Sequence, residues 1–150
     1  MLKNINPLLT PELLSVLAAM GHGDELAVTD ANFPADSVAR GTCHGRVVSL
    51  AGVSLPEAVG AILSVLPLDD FVDAPVRRMA IDATPNELPE VQQEVQAVID
   101  GAVGRHWPMG ALGRFAFYEA ARGCYAVVLT GEGRFFGNVL IKKGAIPRKD

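Results

Sequence analysis

Apolar positions along this chain switch repeatedly between a helical period and short continuous runs. The first helical stretch, "TPELLSVLAAMG", offers Thr10 as N-cap, Pro11 in the first turn and Gly21 as the stop. "ELAVT" (25–29) then reads as a short buried strand, and "RVVSL" (46–50) as another. In "SLPEAVGAILSVLP", Ser54 and Glu57 make a capping-box pair, while Val59, Ile62, Leu63 and Leu66 line one helical face. "VRRMAI" (76–81) is a third strand candidate. "TPNELPEVQQEVQAVIDG" opens with a second box, Thr84 and Glu87, and keeps Leu88, Val91, Val95, Val98 and Ile99 on one stripe. A short helix over "RFAFYEAARG" ends at Gly123, and "CYAVVLTG" and "NVLIKKG" are the last two strands. The segment between them, "EGRFFG", is too short for a helical crossover, so they are expected to pair as antiparallel neighbours. The whole pattern predicts an α/β domain with a mostly buried sheet and helices on both faces.

A length of 150 residues fits one domain, 1–150, with a core of its own. Hydrophobic residues make up 49% of the chain, high for so small an acidic protein, and the surplus apolar surface points to a homo-oligomer. A formal charge of −4 argues against nucleic acid as a partner, because a phosphate-binding surface needs a basic patch. The nearest things to one are the pairs Lys142-Lys143 and Arg148-Lys149. Cys43 and Cys124 stand far apart and form no disulfide framework, which fits a reduced, cytoplasmic protein. No signal peptide is expected, since Asn4, Asn6 and Pro7 interrupt the N-terminal apolar run, and no membrane span is expected either.

A few polar residues call for a reason. His22 sits between Gly21 and Gly23, just past a helix C-terminus. It is either a surface loop histidine near a C-cap or a general acid/base, since imidazole titrates near neutral pH. Asp30 follows the strand "ELAVT", where α/β proteins commonly place ligand groups, but "DANFP" is equally suited to an Asx-turn or a helix cap. Whether His22 and Asp30 meet within one subunit is open at this level. Arg114 begins a helix, an unfavourable place for a cation, and either pairs with Glu119 or forks to a ligand's oxygens. Asn138 offers a donor and an acceptor to a hydroxyl-rich ligand, and Gly137 before it permits close approach to the backbone. His44 and His106 lack metal-ligand spacing, so no metal site is expected. Gly131-Glu132-Gly133 is not a phosphate loop, and Trp107 with Met109 suits a core or an interface.

Two separated stretches together resemble the RbsD/FucU family, the ribose pyranases and fucose mutarotases. "LLTPELLSVLAAMGHGDELAVTDANFP" is similar to that family's N-terminal signature, and "RFAFYEAA", "VVLTGE" and "FGNVLIKKG" to its C-terminal block. The resemblance implies a three-layer α/β/α fold with a mixed sheet, and homo-oligomers from dimer to decamer with sites open to residues from neighbouring subunits. It implies a monosaccharide substrate and no cofactor, because opening and reclosing a hemiacetal ring needs only proton transfer. His22 matches the family's catalytic histidine, and Asp30, Arg114 and Phe136-Gly137-Asn138 match its sugar-binding positions. Asp69, in "PLDDF", falls where some fucose mutarotases carry a further acidic residue. "RFAFYE" resembles the fucose-type branch, whereas Phe136 departs from the tyrosine common in the family. The expected function is therefore a fucose-type mutarotase. The alternatives are a D-ribose pyranase and a non-catalytic sugar-binding accessory protein, which would bind sugar without speeding anomer exchange.

Overall fold

The computed structural model describes residues 1–148, so Lys149 of the terminal basic pair lies outside the described residues. Eleven elements follow in the order α1 (Pro11–Ala19), β1 (Glu25–Thr29), α2 (Ala35–Ala39), β2 (Val47–Leu50), α3 (Leu55–Leu63), β3 (Val76–Met79), α4 (Glu90–Val103), β4 (Gly110–Leu112), α5 (Arg114–Arg122), β5 (Ala126–Thr130) and β6 (Val139–Lys142). The capping signals for the first and third helices work as the sequence suggests. Thr10 Oγ1 accepts from Leu13 N–H, and Glu57 reaches back to both the N–H and the hydroxyl of Ser54.

The second predicted box does not form. Thr84 is in a turn, its carbonyl taking the N–H of Glu87, and α4 starts only at Glu90. Pro89 is the reason: its ring disfavours helical backbone at Leu88, so the helix cannot extend back across it. At the other end α4 passes Gly101 and stops at Gly104, which takes a left-handed conformation with φ +75°. The short elements α2 and β4 were not expected from the pattern, being five and three residues long.

The six strands form one sheet in the order β2-β5-β1-β6-β3-β4. β6 runs antiparallel to both its neighbours, β1 and β3, while the other pairings are parallel. The expected β5–β6 hairpin is therefore overturned, since β1 lies between them. The connecting loop arches over the end of β1 instead, where Ala31 N–H bonds to Glu132 O and Asp30 N–H to Asn138 Oδ1. A loop too short to hold a helix is still long enough to step over one strand.

Side chains alternating along β1 divide the core in two. Leu26 and Val28 pack with Leu13, Leu55, Ile62, Val95 and Ile99 beneath α1, α3 and α4. Ala27 faces the other way, with Val38, Phe117, Ala121 and Leu140 beneath α2 and α5. The result is a three-layer α/β/α arrangement in which β1 is covered on both faces, and its two ends are the places left for polar chemistry.

Candidate active site

His22 stands at the N-terminal end of β1. Gly21 N–H bonds to Asp24 Oδ2 at 2.7 Å, and Gly23, at φ +87°, gives its N–H to Lys143 O. This tight turn lifts the His22 side chain out to 47% exposure. Its Nε2 lies 3.0 Å from Oδ1 of the buried Asp69, which also accepts from Phe71 N–H at 3.1 Å. The hydrogen bond from His22 holds the Asp69 carboxyl below the usual range, so it is ionised near neutral pH. A carboxylate only accepts, so Nε2 carries the proton and Nδ1 is left to exchange one. The exposed ring of Phe71 lies beside the imidazole, centroids 5.4 Å apart.

Asp30 stands at the opposite end of β1. The five-residue strand alone spans roughly 17 Å, so His22 and Asp30 do not meet within one chain. Asp69 goes with His22 and not with the other expected sugar-binding positions. The Asx-turn forms as one of the sequence alternatives had it, with Asn32 N–H on Asp30 Oδ1 at 3.0 Å. Burial pushes the Asp30 carboxyl above its ordinary range, against the opposing effect of the hydrogen bond from Asn138.

The structure changes the parts assigned to Asn138, Gly137 and Arg114. Asn138 donates from Nδ2 to Asp30 Oδ2 at 2.8 Å and accepts Asp30 N–H at 3.0 Å, so its amide orients Asp30. A Cβ on Gly137 would lie 2.9 Å from Glu132 Cγ and 3.3 Å from Asp30 Cβ. Packing of the loop by itself thus requires glycine there. Arg114 does not pair with Glu119, which bonds Arg122; its Nε is 3.7 Å from Asp82 and its guanidinium lies over Phe115. Nearly half the Arg114 side chain is exposed, leaving donors free for a ligand.

These groups border an open cavity of about 330 Å³ lined by Asp30, Asn32, Phe33, Met79, Arg114, Tyr118, Phe135, Phe136 and Asn138. It lies past the carboxyl ends of β1 and β3, where open α/β sheets bind ligands. Sequence reasoning placed Asn32, Phe33, Met79 and Phe135 in no site, and offered Tyr118 only as a stand-in for the phenol absent at Phe136. The signal for Tyr118 was present, because Arg114 and Tyr118 are four apart and share a face of α5.

The loop bringing Phe136 and Asn138 here is held by ions. Glu132 Oε1 accepts Arg134 N–H and Nε, Leu55 N–H reaches Oε2, and Arg134 forks onto Glu94 at 2.8 and 2.9 Å. Bonds from Arg134 outweigh burial and draw the Glu132 carboxyl down to about 2 from an ordinary 4.5. A depressed carboxyl stabilises the fold fully above about pH 4.5 and loses that contribution as pH falls through about 2. Glu132→Gln is thus expected to cost ~2–3 kcal/mol in urea unfolding near neutral pH, with the gap to wild type closing toward about pH 2. A gap constant with pH would show that the ion pair carries none of it.

On an α/β/α fold, a cavity of this size with one carboxylate, one guanidinium, one phenol and aromatic walls has the groups needed to take a small polyhydroxylated molecule. Residues 3–146 match the model of the RbsD / FucU transport protein family, and this chain belongs to that family. It is 41% identical over 149 residues to the L-fucose mutarotase of Histophilus somni, covering 99% of this chain and 100% of the relative. Among solved structures, protein Atu2016 is 52% identical with a TM-score of 0.96, covering 98% of this chain and 97% of that one. The fucose mutarotase of Streptococcus pneumoniae, solved in complex with L-fucose, is 34% identical with a TM-score of 0.87, covering 97% and 100%.

Proposed function

We propose that this protein is a fucose-type mutarotase, an isomerase that interconverts the anomers of L-fucose or a closely related monosaccharide by acid/base opening and reclosure of the ring. The observation that carries this reading is the pairing of a sugar-sized cavity bordered by Asp30 and Arg114 with full-length similarity to L-fucose mutarotases at 41% identity. Ring opening requires a proton on the ring oxygen and loss of one from the anomeric hydroxyl, and positioned acid/base groups typically supply about 10²–10⁴-fold each. His22, oriented by Asp69, exchanges the proton at the ring oxygen through Nδ1. Asp30, oriented by Asn138, accepts from the anomeric or an adjacent hydroxyl. Arg114 donates to further hydroxyls, and Phe33, Met79 and Phe136 receive the apolar face or deoxy methyl of the sugar. Tyr118 supplies a phenol to a pocket in which Phe136 has none.

Both groups act on one sugar only if a second copy of the chain brings its His22 end to the Asp30 end of the first. Exposed aromatics flank each end, Phe71 beside His22, and Phe115 and Phe135 beside the cavity. A homo-oligomer that buries them completes the site, so the protein is assigned a homo-oligomeric state. Cytoplasmic residence is assigned from the two unpaired cysteines; no helix among the described residues is long and apolar enough to cross a membrane.

Saturation-difference NMR of the anomeric protons of L-fucose and D-ribose tests the reading. Faster exchange of L-fucose is the expected outcome, and binding without faster exchange would move the protein to the accessory class. Because burial raises the Asp30 carboxyl and the acceptor must be ionised, kcat/KM is expected to fall on the acid side at a pH above the ordinary Asp value of 3.8. Asp30→Asn is expected to remove that limb together with most of the activity. A wild-type rate in Asp30→Asn would take this carboxylate out of the mechanism.

A further inference from the structure

Gln92 has no part in the chemistry above, yet it is fully buried on the first turn of α4 and touches the pocket through its walls. Its Nε2 donates to Phe136 O at 2.8 Å and to Met79 O at 2.7 Å, and its Oε1 accepts from Arg78 Nη1 at 3.1 Å. Arg78 is 5% exposed, and its remaining bonds run to the carbonyls of Pro85 and Glu87. A buried amide and a buried guanidinium are costly unless bonded, and here each satisfies the other. Phe136 has φ +61°, left-handed backbone that a bulky residue adopts only where its surroundings force it.

The surroundings are on both sides of it. Arg134 is clamped by Glu132 and Glu94, and Asn138 is locked to Asp30. Between those two anchors, the carbonyl of Phe136 is held by Gln92. The same amide holds the carbonyl of Met79, a second apolar residue of the pocket lining. The geometry points to Gln92, set by Arg78, as a positioning residue of the sugar pocket: it keeps Phe136 in its left-handed conformation and fixes the gap between Phe136 and Met79. The sugar-binding consequence rests on the mutarotase reading; the backbone consequence does not.

Gln92→Glu separates the two consequences from simple loss of packing. It keeps the volume and an acceptor for Arg78, but turns an oxygen toward two carbonyl oxygens. Phe136-Gly137 is the single Phe-Gly pair in the sequence, so protein labelled with 13C′-Phe and 15N-Gly gives one cross-peak between those residues. In folded Gln92→Glu that peak is expected to move or split, with KM for L-fucose raised about tenfold and kcat within about threefold of wild type. Gln92→Asn, the same amide drawn back by one methylene, is the milder second variant and is expected to move the peak in the same way. A folded variant whose peak and KM both stay at wild-type positions overturns the proposal, as does a displaced peak with unchanged KM. If wild-type protein does not speed L-fucose exchange, the fucose reading fails by itself and the peak alone decides whether Gln92 holds Phe136.

Discussion

His22→Ala is expected to lower the acceleration of L-fucose anomer exchange by about 10²–10⁴-fold while leaving the thermal midpoint within a few degrees of wild type. Anomer exchange is slow but finite in water, so the catalytic gain consists of placing an acid and a base on two oxygens of one sugar. His22 is bonded to Asp69 through Nε2, so its second ring nitrogen is open to give or take the proton. Its side chain is about half exposed at the tip of a turn, so truncation opens no cavity in the core. Asp69 keeps the Phe71 N–H as a partner, which leaves the turn's neighbour in place. Saturation-difference NMR gives the rate and thermal unfolding gives the fold. A variant exchanging L-fucose at the wild-type rate would exclude His22 as the acid/base.

Mixing His22→Ala with Asp30→Asn is expected to restore about a quarter of the wild-type activity once subunits exchange, although each protein alone is nearly inactive. The ground is the length of β1, which keeps the two residues roughly 17 Å or more apart in one chain. A site made from the His22 end of one copy and the Asp30 end of another receives both native residues in about one of four random pairings. The measurement is exchange rate after mild dissociation and reassembly of the mixture, against each variant treated alone. No recovery despite proven subunit exchange would mean that the two residues do not serve the same site.

Local chemistry was legible wherever a few adjacent residues determine the outcome. Thr10 with Pro11, and Ser54 with Glu57, satisfy orphan helix groups from within one turn, so their consequences can be read from spacing. "ELAVT" is a strand because it is short, apolar and bounded by turn residues, and the structure gives it the same limits. The second box at Thr84 and Glu87 was misread because Pro89 keeps a helix from running through Leu88, and this outweighs the capping pattern. Long similarity to the RbsD/FucU signatures carried the fold and the family, since both motifs and their order survive in the chain.

The sequence by itself thus determined the fold class, the helical and strand patterning of the larger elements, and the residue types available for acid/base work. Only the tertiary structure decided which of those residues meet. The length of β1 kept His22 and Asp30 at its opposite ends, while the strand order, with β1 between β5 and β6, sent Asp69 to His22 and turned Asn138 inward onto Asp30. The same folding put Gln92 under Phe136 across 44 residues of chain. These are contacts between distant segments, governed by sheet topology and close packing, and no local propensity or periodicity encodes which distant partner a buried polar group will find.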